Sequence, residues 1–455
     1  MIEPGQSGVA RPAGTALVAY RGEHARSRAL HARALRVMPG GNTRHSLTAD
    51  PYPVYVASGR GCRVVDVEGA ERIDFLNNFT ALILGHADPV TLAAVHARLD
   101  LGTAFASPTE SDVELAELLV GRVPALERVR FCNSGSEAVM LAVKAARAYT
   151  GRAGLAKCEG AYHGLYDYAQ VSERSAPDAW GPDDCPASLV EAGVSPRVAD
   201  EVVVLPWNDA DACERLIERH KNRLAAVIVD PLPLGISLVS PVPGFLARLR
   251  EVTTRHGILL IADEVMSFRL GYHGASAREG IRPDLMCLAK IIGGGFPVGA
   301  VGGRVDVMDV FDHAKGMAVH HGGTYNGNPV TMTAGLATMT QLTPETFTRL
   351  DDLGALLRRR LADMLASRGT LAQILGEGSL FSVRLTATPL RGYRDVQRHI
   401  RQCPIYRDVC HAMLARGILL SQRGIQGCLS TPMTEVEVEA FVQALDGALA
   451  SVESR

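Results

Sequence analysis

The chain has 455 residues, 47% hydrophobic and 21% charged, with 47 Lys and Arg against 49 Asp and Glu for a formal net charge of −2. That length calls for a large core spread over two or three lobes, and the near-neutral balance offers no basic field for nucleic acid or an anionic membrane, so the expected partner is a small molecule. Nine cysteines stand singly with no CxxC pair, which argues against a zinc site or a disulfide framework and fits a reducing cytoplasm.

The opening residues lack the pattern of an export signal and no apolar stretch approaches about 18 residues, so neither export nor a membrane span is expected. Residues 1–20, rich in Gly, Pro and Ala, are expected to be poorly ordered. From about Tyr20 to Val37 the spacing predicts a helix, which "MPGG" stops. "YPVYVASGRGCRVVDVEGAERIDF" reads as a meander of short strands.

After about Asn77 short apolar runs alternate with amphipathic segments. The runs fall at 129–135, 153–160, 201–206, 224–231, 257–265, 284–290 and 299–303, with helical spacing at 136–151, 210–223 and 242–257. This rhythm predicts an α/β fold with a mostly parallel central sheet flanked by helices, and a site at the carboxyl ends of its strands. A long polar loop at 172–200 is placed to rim that site. Beyond about Pro329 helices dominate, followed by two short strands, "GSLFSVRL" and "GILLSQRG", and a closing helix near 434–450, which together make a smaller α+β lobe.

Polar residues at strand ends carry the chemistry. "ILLIADEV" ends on Asp263 and Glu264, and 27 residues after Asp263 the apolar run "DLMCLAK" ends on Lys290 and enters "IIGGGFPVGAVGG". A lysine on an apolar element is costly to desolvate as a cation, so it is exposed, paired, or held neutral for chemistry. "FCNSGSEAVML" adds a strand, a tight Ser134-Gly135-Ser136 turn and a helix whose first N–H groups suit an anion, although Ser-Gly-Ser-Glu is equally an ordinary capping box. A lysine to hold an aldehyde as a Schiff base, a carboxylate to keep a pyridine nitrogen protonated and a phosphate cradle are the needs of a pyridoxal phosphate enzyme.

Together these residues resemble the class III aminotransferases, fold-type-I pyridoxal phosphate enzymes, in the branch around glutamate-1-semialdehyde aminomutase and the β-amino-acid aminotransferases. The resemblance runs through "MPGGNTR" (38–44), "LGHADP" (84–89), "RFCNSGSEA", "EGAYHG" (159–164), "ADEVMSFRLGYHG", "PDLMCLAKIIGGGFPVGAVGG" and "GGTYNGNP" (322–329). It implies that Lys290 holds the cofactor and shuttles a proton, that Asp263 pairs with the ring nitrogen, and that Tyr162 stacks on the ring face. It further implies that Ser134, Gly135 and Ser136 bind the phosphate, joined by Thr324 from the neighbouring subunit, so that the protein is a homodimer with shared sites. The organisation it implies is an N-terminal segment, 1–75, a large cofactor-binding domain, 76–332, and a small domain, 333–455, which shares the N-terminal segment.

Arg44 and Arg423 match positions that bind substrate carboxylates in the β-phenylalanine aminotransferases of this branch, and "SQRG" departs from the acidic, phenylalanine-containing segment of the aminomutases compared. The implied reaction is transfer of an amino group from a carboxylate-bearing amine, plausibly a β-amino acid, to a 2-oxo acid; the alternative is an intramolecular aminomutase. Racemase or decarboxylase chemistry would use the same lysine and aspartate. Asp230 stands where the family usually has glutamate, and Phe79 and Leu82 in "NNFTALILGH" lean toward an apolar substrate. A regulator would need a DNA-binding module, for which the 38 residues before "PGG" are too short, and a nicotinamide enzyme would need a G-x-G-x-x-G turn that is not found in place.

Overall fold

The computed structural model describes residues 24–316, 318–421 and 424–453; the expectation for residues 1–20 lies outside them. All seven apolar runs are strands of one sheet: β4 (Arg128–Cys132), β5 (Gly154–Cys158), β6 (Val202–Leu205), β7 (Leu224–Val229), β8 (Leu259–Asp263), β9 (Leu285–Ala289) and β10 (Gly299–Gly303). Their order is β4-β10-β9-β8-β7-β5-β6. Neighbours from β6 through β9 run parallel, while β10 is antiparallel to both β4 and β9.

Side chains that alternate along a strand explain why the runs read as continuous apolar stretches. Val227 and Val229 pack with Leu216, Ile217, Leu249 and Val252 of helices Ala210–His220 and Phe245–Arg255. Ala226 and Ile228, pointing the other way, pack with Val139, Ala142 and Val143 of helix Gly135–Thr150. Both faces are dry, so polar groups are pushed to the strand ends.

The early meander is β1 (Val56–Arg60), β2 (Arg63–Asp66) and β3 (Glu71–Asp74), and its sheet is completed by β13 (Ile418–Leu419), which runs parallel to β3 with Ile418 opposite Ile73. A third sheet has the order β11-β12-β14, from Gln373–Leu375, Leu380–Arg384 and Ile425–Cys428. Phe75, just after β3, packs its ring 6.0 Å from Phe381 of β12 and 4.7 Å from Phe441 of helix Glu435–Glu453, which joins the N-terminal chain to the C-terminal one.

Several expectations need correction. The first helix among the described residues is Ala25–Ala34, inside the predicted span. Of the described residues of "GILLSQRG", Ile418 and Leu419 form the two-residue β13. Strand β14, "IQGC", was not read as a strand because its pairing, Leu380 opposite Cys428, is decided by a distant partner. Helices Tyr393–Gln402 and Tyr406–Ala415 were also missed; the first is so rich in charge that its inward stripe is little more than Tyr393 and Val396. Among the described residues, no helix is long and apolar enough to cross a membrane.

Phe75 is fully buried. Phe75→Ala is expected to cost about 3–5 kcal/mol through the cavity it leaves, read as a lowered thermal midpoint at a fixed scan rate, with Phe75→Leu losing much less.

Candidate active site

Three adjacent parallel strands carry polar residues at their carboxyl ends, with Asp263 opposite Cys287 so that β9 runs two residues further before Lys290. β7 is followed by Asp230, β8 ends on Asp263, and β9 is followed by Lys290. The order of the sheet, and not sequence distance, therefore brings the two carboxylates and the amine into each other's field.

Asp263 is buried, with Oδ1 accepting the Val265 N–H at 3.0 Å and Oδ2 2.7 Å from Nδ1 of His163. His163 is itself buried and its Nε2 has no hydrogen-bond partner, so the imidazole is a dedicated prop for the aspartate. Asp230 Oδ1 accepts the Leu232 N–H at 3.0 Å, and burial first, then the charge of Asp263, pushes its carboxyl up to about 7. Burial holds the Lys290 amine below its ordinary value; Asp263 and Asp230 act in the opposite direction, and the Arg269 charge adds to the lowering. Lys290 has a φ of 51°, left-handed for a non-glycine residue, which turns the chain sharply off the strand into the Lys290–Gly293 turn.

The Ser134-Gly135-Ser136 turn caps helix Gly135–Thr150, with Ser134 Oγ accepting the Glu137 N–H at 3.2 Å. Gly135 is required by contact: a Cβ there would sit 2.9 Å from Val265. Ser136 Oγ accepts the Leu165 N–H at 3.1 Å, which ties this turn to the "EGAYHG" segment after β5. That segment is backed by the C-terminal chain. Tyr393 lies so close to Gly160 that a Cβ would come within 1.9 Å, and Arg394 Nε donates to Glu159 Oε2 at 2.8 Å. Arg394 also donates to the carbonyls of Trp180 and Gly181, which fastens the 172–200 loop to the same helix. Tyr162, on this supported segment, is 49% exposed and so keeps a ring face available to a ligand.

Thr324 is exposed and is not among the residues gathered around Lys290. Its loop is anchored through Asn326, whose Oδ1 accepts from Asn133 Nδ2 at 2.7 Å, beside the phosphate-type turn. Arg44 is also exposed; its Nη2 donates to Asn78 Oδ1 at 2.8 Å and its guanidinium lies 5.2 Å from the Phe79 ring centroid. Leu82 faces the post-lysine loop, 3.1 Å from where a Cβ on Gly295 would stand. Arg423 lies outside the described residues.

The segment under Arg44 is unusual. Asn77, Asn78, Phe79 and Thr80 have φ values of 46°, 47°, 54° and 77°, four consecutive residues in the left-handed region. Such a turn costs on the order of 1–2 kcal/mol per residue and persists only if its surroundings over-determine it. Asn77 Nδ2 donates to the carbonyls of Asp74 and Cys428, both at 3.1 Å, while Arg269 Nη1 donates to the Thr80 carbonyl at 2.9 Å. His163, Asn78 and Arg269 were not singled out from sequence. The Asn-Asn pair was the only local signal, since Asn tolerates left-handed backbone better than most residues.

The donor set fits pyridoxal phosphate: a desolvated lysine, a buried aspartate propped by histidine, a half-open aromatic face and a helix start with a serine hydroxyl beside it. Comparison with known proteins agrees. The family model for class III aminotransferases matches residues 45–449. Glutamate-1-semialdehyde 2,1-aminomutase 2 of Exiguobacterium sibiricum is 37% identical over 429 residues, covering 93% of this chain and 96% of the relative. An omega-transaminase from Sphaerobacter thermophilus superposes with a TM-score of 0.90 at 50% identity, covering 94% of this chain and 98% of that one. A β-phenylalanine aminotransferase from Variovorax paradoxus gives 0.87 at 33% identity, covering 96% and 97%. The chain belongs to the class III aminotransferases and is a pyridoxal phosphate-dependent enzyme of the fold-type-I architecture.

Borohydride reduction of the holoenzyme is expected to attach the cofactor to the peptide that contains Lys290, and Lys290→Ala to lose the labelling and the long-wavelength cofactor band. In the cofactor-free protein a raised carboxyl pKa means that the folded state binds a proton more tightly than the unfolded state, so Asp230 destabilises as pH rises from about 4 through about 7. Asp230→Asn is therefore expected to raise the thermal midpoint over wild type by roughly 2 °C or more at pH 8, with the difference closing near pH 4.

Proposed function

We propose that this enzyme transfers an amino group from a carboxylate-bearing amine, specifically a β-amino acid, to a 2-oxo acid. The observation that carries the substrate class is the Arg44 guanidinium, held by Asn78 and lying over the Phe79 ring, which pairs a carboxylate fork with an aromatic surface. The similarity to the Variovorax paradoxus β-phenylalanine aminotransferase supports this reading. Arg423 would receive the carboxylate of the 2-oxo acid.

Bound at this site, pyridoxal phosphate supplies an electron sink for the carbon that loses its proton. Lys290 would hold the cofactor and, once displaced from it, its amine, which burial draws toward the neutral form, would carry the proton from the substrate carbon to the cofactor carbon that takes up the amino group. Asp263, with His163 behind it, keeps the proton on the ring nitrogen. Tyr162 orients the ring by its face, and Ser134, Gly135 and Ser136 hold the phosphate through N–H and hydroxyl groups. Asp230, protonated over more of the pH range than an ordinary carboxyl, adds less negative charge beside the cofactor than an ionised glutamate would.

The assembly proposed is a homodimer in which Thr324 completes the neighbouring subunit's phosphate site. Exposure of Thr324 on its own chain supports it, as does the exposure of Leu99, Leu101, Phe105 and Tyr325, large apolar groups that a partner surface would cover. We assign cofactor binding to residues 76–332, and to 1–75 with 333–455 the smaller unit that backs the site, which the pairing of β13 with β3 supports. Buried reduced thiols at Cys132, Cys158 and Cys287 fit a cytoplasmic enzyme.

The similarity to the Exiguobacterium sibiricum aminomutase favours a second reading, amino transfer within one carbon skeleton. A half-reaction separates the two. β-Phenylalanine added without a keto acid is expected to convert the cofactor band stoichiometrically and release a keto product, after which a 2-oxo acid restores the band. Turnover of glutamate-1-semialdehyde alone, with no keto product leaving, would establish the aminomutase. Arg44→Ala is expected to raise KM for β-phenylalanine roughly 10- to 100-fold, the worth of hydrogen bonds to a charged group, while the cofactor band is retained.

A further inference from the structure

Arg269 is 1% exposed and among the largest fully buried side chains of the protein. It lies in the Ser267–Leu270 turn, six residues beyond Asp263. Its Nε donates to Ser379 Oγ at 3.0 Å, its Nη1 to the Thr80 carbonyl at 2.9 Å, and its Nη2 to the Leu429 carbonyl. All three acceptors are neutral. A guanidinium stays charged in any surroundings, and burying one without a carboxylate partner is costly, so a leucine or methionine of similar size would fill the space at less expense.

The acceptors show what the charge achieves. Thr80 closes the left-handed turn 77–80, Ser379 immediately precedes β12 and Leu429 immediately follows β14. Arg269 thus fastens a turn from the N-terminal side and one end of the antiparallel β12–β14 pair, where Leu380 stands opposite Cys428, to the strand that carries Asp263. The turn it holds is the one whose Asn78 and Phe79 support Arg44.

We propose that Arg269 is a positioning residue for substrate carboxylate recognition, holding the left-handed turn 77–80, and through it Arg44, in fixed register with the Lys290 end of the sheet. The proposal rests on the assignment of Arg44 as the carboxylate-binding residue. It places the determinant of donor choice partly in a residue that touches no substrate.

The test compares two donors of the holoenzyme, β-phenylalanine and 1-phenylethylamine, which share the aromatic amine and differ in the carboxylate. Arg269→Met is expected to raise KM for β-phenylalanine about 10-fold or more, to leave KM for 1-phenylethylamine within about twofold, and to retain the cofactor band. Added to Arg44→Ala, it should produce little further increase, because the two act through one contact. Hydrogen exchange without substrate is expected to speed up in the segment 77–84, where the Thr80 and Leu82 amides donate to Leu76 and Asn77, with 285–294 unchanged. Should Arg269→Met fail to fold, Arg269→Lys, which keeps the charge but cannot reach three acceptors at once, carries the same comparison. Equal losses with both donors, multiplying effects in the double variant, or unchanged exchange at 77–84 would each overturn the proposal. If Arg44→Ala leaves KM for β-phenylalanine unchanged, it is the assignment of Arg44 that fails, while faster exchange at 77–84 would still show that Arg269 holds the turn.

Discussion

The arrangement of this protein depends on placing charge at the dry ends of three parallel strands. β7, β8 and β9 are buried on both faces, so the first positions at which they can bear polar groups lie just at or beyond their carboxyl ends, and there stand Asp230, Asp263 and Lys290. Hydrogen bonding in the sheet holds the strands about 5 Å apart, which makes each charge a strong perturbation on the others. Burial disfavours the charged forms of Asp230 and Lys290, raising the carboxyl and lowering the amine, and the charges beside each modify that shift. The Lys290 amine is thereby drawn toward the neutral form, while Asp263 stands 2.7 Å from His163 Nδ1 and accepts the Val265 N–H.

Precision at these strand ends comes from chain that is distant in sequence. Tyr393 and Arg394 seat the segment that carries Tyr162 and His163, and Gly160 is glycine because the Tyr393 ring leaves no room for a Cβ. Gly299 has the same explanation on the other side, since a Cβ there would fall 2.0 Å from the Ser134 carbonyl and force β10 away from the Ser134–Ser136 turn. The Phe75, Phe381 and Phe441 cluster closes the joint between N- and C-terminal chain. The site is a seam between segments, and its groups stay aligned only while those segments remain packed.

On the Arg44 side the structure stores strain. Four left-handed residues in succession are stable because Asn77 uses its amide on two carbonyls and because Arg269 takes the carbonyl at the end of the turn. The residues between these anchors, exposed Asn78 and half-buried Phe79, are then presented to Arg44. A turn fixed at both ends offers a preorganised surface, and less entropy is lost when a ligand settles on it.

The seven strands of the main sheet, the flanking helices and the positions of Asp263 and Lys290 at strand ends were legible in the sequence, because burial on both faces leaves an apolar run and ends it where polar groups reappear. The Ser134–Ser136 turn was legible for the same local reason, a cap at the start of a helix. Strand β14, the two-residue β13 and the charged helix Tyr393–Gln402 were not, since their residues carry weak local preferences and are held by partners far along the chain. His163 appeared in a quoted motif with no role, and Arg269 looked like any arginine beside a strand. Only the folded chain set one against Asp263 and enclosed the other among three neutral acceptors, because hydrogen-bond partners and burial are properties of what packs together, and sequence spacing does not record them.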